Sequence, residues 1–419
     1  MSTALRRLRY LPYLVNAGFA AAALALLFLT LRAYSSPFAL IAVKAAALGV
    51  VILALLWLIA VAGERINTVV CVILVGLLAL GQWRLSARRV EDYPAGLTRK
   101  PAPYVMFTGA PRQLDHNELG YRGELPAPAK PAGEFRVLVV GGSAVYGTGP
   151  ARLTIPHHLQ DLAVRSGRGQ VRVYNWGVVS QVSAQELATL ALRAARYQPD
   201  LVLLYDGGND MSGAYTYDPR PGYPFNFVLQ ESAVAVFQEG GLSVLAAGAL
   251  TQSNVVRILF GPELADAVAR LPPVRRRVGY GTPRWEEAVA RTYLENVESA
   301  CRLGEAWGFR VAVALQPIVY FSPQADSYRG VPADFRPYAE RQYERIRAGL
   351  RELSGRIPAD RCRFDDLSRV CARGECTFQD MIHPTAETRA PIAEVIFRGL
   401  EQAGYLPPPR EAERPLPAS

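Results

Sequence analysis

The chain is poor in histidine, and only three of its 46 basic side chains are lysines. A general base or a metal cluster that uses histidine therefore has few candidate residues. The net charge of +9 comes from arginines that flank apolar runs or are scattered, and no basic stripe is interleaved with aromatic residues as nucleic-acid binding requires. We expect no nucleic-acid partner. The four histidines are His116, His157, His158 and His383.

Cysteine is also scarce, at five residues, of which Cys71 lies in an apolar run. Cys301 falls on the apolar stripe of a predicted helix, where a buried and inert thiol is expected. Cys362, Cys371 and Cys376 lie close together without a histidine at zinc-ligand spacing, which favours a disulfide between two of them over a metal site. The third is then unpaired or pairs with Cys301. A disulfide needs an oxidising compartment, which favours an outward-facing domain.

Three long runs near the amino terminus are almost free of charge, and each is close to the ~20 residues that cross a bilayer core. They cover about residues 11–31, 38–62 and 66–83, and only Lys44 interrupts them, near an end where its stem can reach the interface. A cleaved signal peptide would be one shorter run. The sequence therefore predicts a membrane anchor of three helices within residues 1–90. The flanking arginines are divided equally, so charge does not decide the orientation.

Residues 91–133 are rich in proline, glycine and charge, which is typical of a linker. Within them, residues 115–123 are expected to pack as a strap on the edge of the following domain or, as an alternative, to line a substrate cleft. Residues 212–283 interrupt the later pattern and are predicted to be an insertion that forms one wall of a site or packs near the membrane. Residues 406–419 read as a flexible tail.

From residue 134 to 405 apolar strands alternate with helices, which predicts a doubly wound parallel α/β sheet with helices on both faces, a flavodoxin-like three-layer sandwich. Ser183 with Glu186 three residues later suggests a capping box at one helix. Other helices are expected near 285–307, 337–353 and 384–402. The predicted strands are Phe135–Val140, Gln170–Trp176, Asp200–Asp206 and Arg310–Gln316.

One serine follows the first of these strands, in the stretch FRVLVVGGSAVYG that spans residues 135–147. Open α/β sheets bind ligands at the carboxyl ends of their strands, so Ser143 is a candidate nucleophile. His383 lies in QDMIHPTAE, three residues after Asp380. An aspartate at that spacing can fix the histidine tautomer and leave the other ring nitrogen to accept the serine proton. Surface or capping roles are expected for His157 and His158.

Two further strand ends carry residues that could stabilise an oxyanion. Gly177 comes directly after the second predicted strand, and Asn209 follows the third. A glycine permits close approach of a backbone N–H, and an asparagine amide is an uncharged donor. Taken alone, each sequence is also that of an ordinary βα turn. A nucleotide-binding loop at GGSAVYGTG is a disfavoured alternative, because it lacks a Lys-Ser/Thr ending and misses the Gly-x-Gly-x-x-Gly spacing.

The order of these four features resembles the SGNH hydrolases, also called GDSL-type esterases, over about residues 134–402. The resemblance implies Ser143 as nucleophile, His383 as base and Asp380 as its orienting acid. It also implies an oxyanion hole made by Gly177, Asn209 and the Ser143 backbone N–H, with no metal or cofactor. One departure is visible: the family's Gly-Asp-Ser is Gly-Gly-Ser here, with Gly142 in the middle, which leaves the subfamily open.

Together, anchor and resemblance lead us to expect a bacterial serine esterase in the cytoplasmic membrane, with its domain on the periplasmic or extracellular side. The expected substrate is an ester, with an O-acylated and in the first place O-acetylated envelope glycan as the candidate. An O-acyltransferase with the same site is the first alternative. A glycan-binding or assembly protein that keeps the fold without catalysis is the second.

Overall fold

The computed structural model describes residues 99–410 except 113, 226, 228–271, 327, 329–331, 333 and 375. These residues belong to one compact unit, formed by Arg89–Val228 and Arg270–Ser419. The three predicted membrane helices, most of the predicted insertion and residues 411–419 of the predicted tail lie outside the described residues. Within the described range, no helix has both the length and the apolar character needed to cross a bilayer.

A five-stranded parallel sheet forms the centre of this unit. The described strands are β1 Arg99–Ala102, β2 Met106–Gly109, β3 Phe135–Gly141, β4 Val171–Gly177, β5 Leu201–Asp206, β6 Arg310–Leu315 and β7 Cys362–Asp366. The parallel sheet has the order β4-β3-β5-β6-β7. Its central strands are runs of aliphatic residues, because such side chains fit a sheet covered on both faces.

Helices cover both faces of the sheet and make a three-layer α/β sandwich. The described α-helices are α1 Ser143–Tyr146, α2 Ile155–Arg165, α3 Ser183–Leu192, α4 Gly208–Thr216, α5 Pro272–Val278, α6 Pro283–Trp307, α7 Phe335–Arg356 and α8 Ala386–Gln402. Alternate β3 residues enter two different apolar cores: Leu138 packs with α3, α4, α6 and α7, and Val139 with α1, α2 and α8. The predicted α/β class is confirmed.

The four predicted strands match β3, β4, β5 and β6 to within one residue at each end. The sequence does not predict β7, CRFDD, because this edge strand is polar and shows no apolar run. The predicted capping box at Ser183 is wrong. Val182 precedes the first turn of α3, and its N–H donates to the Gln185 side chain at 3.2 Å, while the Ser183 hydroxyl donates to Asp210 instead.

The region predicted as a linker contains an ordered hairpin, in which β1 pairs with β2 in antiparallel fashion. Two glutamines attach this hairpin to the start of α3. The Gln185 amide donates to the Val105 carbonyl at 2.7 Å, and the Gln181 amide donates to the Phe107 carbonyl at 3.1 Å. Residues 115–123, the strap, then cross to the chain that follows α1. The hairpin and the strap are therefore bonded to the α/β unit.

Four cysteines form two disulfides, Cys301–Cys362 and Cys371–Cys376, with Cα–Cα distances of 5.6 and 5.0 Å. The expectation that Cys301 is an inert thiol is wrong, because it links α6 to β7. The described residues contain no group of three or more His, Cys, Asp or Glu side chains arranged to hold a metal ion.

The two disulfides should contribute unequally to stability. They are separated by 61 and 5 residues along the chain, and a longer loop loses more entropy from the unfolded state when it is closed. Replacing both members of Cys301–Cys362 with alanine should lower the free energy of unfolding by about 4 kcal/mol, against about 2 kcal/mol for Cys371–Cys376. Urea denaturation of the oxidised protein measures both values. Equal losses would contradict this ranking.

Candidate active site

Ser143 lies where the buried strand β3 turns into α1. β3 ends at Gly141, and Ser143 is the first residue of the helix, with only 8% of its surface exposed. A Cβ atom on Gly142 would overlap the side-chain nitrogen of Asn209. The Gly-Gly-Ser sequence therefore has a steric reason, since any side chain at position 142 would displace the Asn209 amide.

His383 is held by a short loop that Asp380 shapes. One carboxylate oxygen of Asp380, Oδ1, accepts hydrogen bonds from the backbone N–H groups of Ile382 and His383, both at 2.9 Å. The Gln316 side chain, just after β6, donates to the Ile382 carbonyl at 3.2 Å. The spacing of three residues is thus what lets a single carboxylate both fold this loop and reach the imidazole.

The three predicted side chains come together in one line. Ser143 Oγ lies 2.5 Å from His383 Nε2, and His383 Nδ1 lies 2.6 Å from Asp380 Oδ2. A carboxylate beside Nδ1 fixes the proton on that nitrogen, so Nε2 is the acceptor for the serine proton. Burial acts to raise the pKa of Asp380, but the His383 hydrogen bond and charge together with the two backbone N–H groups lower it overall. Asp380 is therefore ionised at neutral pH.

Asn209 lies near the start of α4, beside Gly142. Its Nδ2 donates to the Gln181 carbonyl at 2.7 Å, which fixes the amide plane and leaves its second N–H for another acceptor. The backbone N–H of Ser143 has no acceptor within α1, because it belongs to the first residue of that helix. Two of the predicted oxyanion donors, Ser143 and Asn209, are thus brought to the same point in the fold.

Gly177 lies at the end of β4, where the strand closely approaches α1. Its N–H donates to Asn175 Oδ1 at 3.0 Å, and a Cβ there would overlap the backbone of Val145 and Tyr146. The glycine is needed so that β4 can approach α1 closely. The assignment of Gly177 as an oxyanion donor stays a prediction, and in this structure its N–H bonds the Asn175 side chain.

The loop between β4 and α3 was not recognised from the sequence. It carries the Gln181 carbonyl that orients Asn209, and Ser180 within it has a φ of 64°. That left-handed conformation normally favours glycine. Neither feature has a sequence signal, because a serine gives no indication of a positive φ and a backbone carbonyl is present in every residue.

The other histidines lie in different surroundings. His116 is buried in the strap, with Nδ1 2.9 Å from the Ala110 carbonyl and Nε2 3.0 Å from the Tyr146 hydroxyl. His157 and His158 are on α2, where the His157 ring lies 3.6 Å from Asp161. The histidine that meets Ser143 is His383.

No protein-family model matches the chain, and no curated protein matches it. Solved structures to which it is similar include the acetyl xylan esterase AlAXEase, at 12% identity over 64% of this chain and all of that one, with a TM-score of 0.37. A catalytic mutant of Axe2, an acetylxylan esterase from Geobacillus stearothermophilus, is similar at 12% identity over 66% of this chain and 97% of that one, with a TM-score of 0.37. A putative lipolytic protein of the G-D-S-L family from Desulfitobacterium hafniense is similar at 12% identity over 63% of this chain and 99% of that one, with a TM-score of 0.34.

Three carboxyl groups are buried at the end of β5 and at the starts of α3 and α4: Asp206, Glu186 and Asp210. Asp206 accepts from the Tyr293 hydroxyl at 2.7 Å. Burial raises the pKa of Asp206 overall, while its interactions with Glu186 and Tyr293 act to lower it. Burial and the nearby Asp206 and Asp210 raise the pKa of Glu186 well above its ordinary value. Burial and the Asp206 charge raise the pKa of Asp210 to about 7. Burial thus favours the neutral form of the Glu186 carboxyl.

Glu186 should make stability fall as pH rises. Its pKa is higher in the folded state than in the unfolded chain, so its contribution is complete below about pH 4 and is lost as pH rises toward the folded pKa. Each pH unit in that window costs about 1.4 kcal/mol. Glu186→Gln stays neutral and has no proton to lose, so its free energy of unfolding should decline less between pH 5 and pH 8.

Urea denaturation at several pH values measures this slope. Asp210 contributes in the same direction, so the Glu186→Gln slope should be shallower than the native slope without vanishing. Glu287→Gln, at an exposed position of α6, is the matched control and should keep the native slope. Identical slopes in the native protein and Glu186→Gln would show that Glu186 is ionised when folded.

Proposed function

We propose that the protein is a serine hydrolase of carboxylic esters. The observation that carries this proposal is the line from Ser143 Oγ through the His383 imidazole to Asp380, with hydrogen-bond distances of 2.5 and 2.6 Å. A serine with a histidine at one side and a carboxylate behind that histidine is the arrangement that activates a hydroxyl for acyl transfer. The Asn209 amide, fixed beside Gly142, supports the same reaction.

The reaction follows from these positions. Ser143 Oγ bonds to the acyl carbon while its proton passes to His383 Nε2, and the carbonyl electrons move onto the oxygen. The Ser143 N–H and the Asn209 amide stabilise that oxyanion, where one donor is typically worth roughly 10²–10³ in rate. The alcohol leaves with the proton from Nε2. Water then attacks the acyl-enzyme, gives a proton to Nε2 and releases the acid, and the proton returns to Ser143.

The proposed substrate is an O-acylated envelope glycan, with O-acetyl as the first acyl group to test. The predicted membrane anchor supports this choice, since a tethered enzyme acts on material near the membrane. No metal or cofactor takes part in the proposed mechanism.

We also propose that the domain lies outside the cytoplasm, on the outer face of the cytoplasmic membrane. The two disulfides support this, because such bonds persist in oxidising compartments. A reporter enzyme that matures only outside the cytoplasm, fused after Ser419, should be active in cells. Activity of a cytoplasm-specific reporter at that position would contradict the proposed topology.

Substitution of Ser143, His383 or Asp380 should strongly lower the rate of ester hydrolysis. Ser143→Ala and His383→Ala should each lower kcat by about 10⁴-fold or more, and the double variant should lose little beyond either single change because the residues act as a unit. Asp380→Asn should lose roughly 10²-fold or more through loss of tautomer control. Its side chain is 46% exposed, so water replaces part of its effect. Initial rates with a chromogenic acetyl ester and an acetylated glycan measure these changes.

His157→Ala is the matched control, because His157 also lies beside an aspartate but on α2; it should keep the native rate within about twofold. Equal acetate release by native protein and Ser143→Ala would exclude Ser143 as the nucleophile. Consumption of an acyl donor only when a glycan acceptor is present would instead indicate a transferase. If the Ser143→Ala and His383→Ala variants keep native function in cells, the result would indicate a binding protein.

A further inference from the structure

Two arginines are almost completely buried on either side of the turn that follows the Ser143 helix. Arg122 comes from the strap, Arg389 from the first turn of α8, and each is 3% exposed. The two guanidinium groups bond the neighbouring carbonyls of Gly147 and Thr148, and burial together with the charge of Arg122 lowers the pKa of Arg389. Buried like charges are costly, so the contacts that retain them need a physical explanation.

Both guanidinium groups bind the same short stretch of backbone. Arg122 donates to the carbonyls of Tyr146, Gly147 and Gly149 at 3.1, 2.6 and 2.8 Å. Arg389 donates to the Thr148 carbonyl and hydroxyl, both at 2.8 Å, and to the Leu153 carbonyl at 3.2 Å. Four consecutive carbonyls at the end of α1 are therefore satisfied by charged, planar donors, which fix their direction as well as their position.

Arg122 and Arg389 come from different parts of the chain. Arg122 is held by Asp115 within the strap, where Nε and Nη2 donate to Asp115 Oδ2 at 2.8 and 2.5 Å. Arg389 lies six residues after His383, and Thr148 lies five residues after Ser143. The contact between Arg389 and Thr148 therefore ties the serine side of the site to the histidine side through a short path.

We propose that Arg122 and Arg389 are positioning residues, a two-arginine clamp that holds residues 146–149 so that Ser143 Oγ stays within hydrogen-bonding distance of His383 Nε2. The clamp rests on the proposed function, because it serves the reaction of Ser143. It also makes the site depend on the strap, which lies before the α/β unit in sequence. Small displacements of reacting groups have large effects on rate, about 10²-fold for 1 Å.

The test measures how fast a fluorophosphonate probe labels Ser143 in the full chain. Arg122→Lys and Arg389→Lys keep the charge but lose the planar fork, so each should label about 10- to 100-fold more slowly. With an ester substrate, kcat should fall by the same factor while KM stays within about threefold. Arg112→Lys, three residues before the strap, and Arg398→Lys on α8 are at exposed positions and should behave as the native protein does.

Backbone hydrogen exchange gives a readout that does not depend on activity. In both clamp variants, residues 143–153 should exchange faster while the central strands keep native protection. The double variant should lose less labelling rate than the product of the single effects, since both arginines hold one turn. Multiplicative losses would overturn the clamp as a unit.

Native labelling rates with native exchange in both variants would overturn the clamp and leave the proposed function standing. Slower labelling with equally faster exchange in all strands would also overturn it, because the arginines would then serve global stability only. If an arginine variant does not fold, Thr148→Val provides the test: it removes the Arg389 contact to the hydroxyl and should slow labelling about threefold, and a native rate would overturn the proposal. The same hydroxyl also donates to Gln379 Oε1 at 3.5 Å, so Gln379→Ala, which removes only that contact, is the control and should label at the native rate. If the native protein and Ser143→Ala are labelled by the probe at the same rate, the proposed function fails. The clamp is then tested by backbone hydrogen exchange alone.

Discussion

The hydrogen bond between Ser143 and His383 joins residues that are 240 positions apart, and most of the fold can be understood as what makes it possible. Ser143 is fixed by β3, a central strand buried on both faces. His383 is fixed by a loop that Gln316 bonds to the end of β6. Since β3 and β6 both pair with β5, the two partners are set by a single rigid sheet rather than by the flexibility of their loops.

Space at Gly142 is a second constraint on the same site. The Asn209 amide occupies the position that a side chain at residue 142 would need, so the amide and the serine are neighbours only because that residue has no Cβ. The Gly-Gly-Ser sequence at residues 141–143 therefore has a geometric reason in this chain. The same close approach explains why the Gln181 carbonyl, which orients the amide, lies against Gly142.

The sequence predicts well those features that depend on local pattern. Aliphatic runs identify four strands, and the Asp380–His383 spacing identifies a loop whose function is local. The sequence does not reveal which partner a polar group or a cysteine takes in the fold. The Ser183 hydroxyl bonds Asp210 and not its own helix, the Gly177 N–H is taken by Asn175, and disulfide pairing is not readable from spacing. The contacts of Arg122 in the strap cannot be predicted from the sequence either, because an arginine in a polar segment is expected to be exposed.

Polar groups buried on both faces of the sheet explain how the site keeps its geometry. Glu186, Asp206 and Asp210 lie among the helices of one face, while Arg122 and Arg389 hold the turn after α1 on the other. Apolar packing is non-directional, so it can exclude water but cannot aim a hydroxyl or an amide to within a fraction of an ångström. Hydrogen bonds are directional and can orient these groups. A buried hydrogen bond is also costly to break, because its loss leaves an unsatisfied polar group. The polar groups therefore limit the motion of Ser143 and Asn209, while the apolar cores supply the stability that offsets their burial.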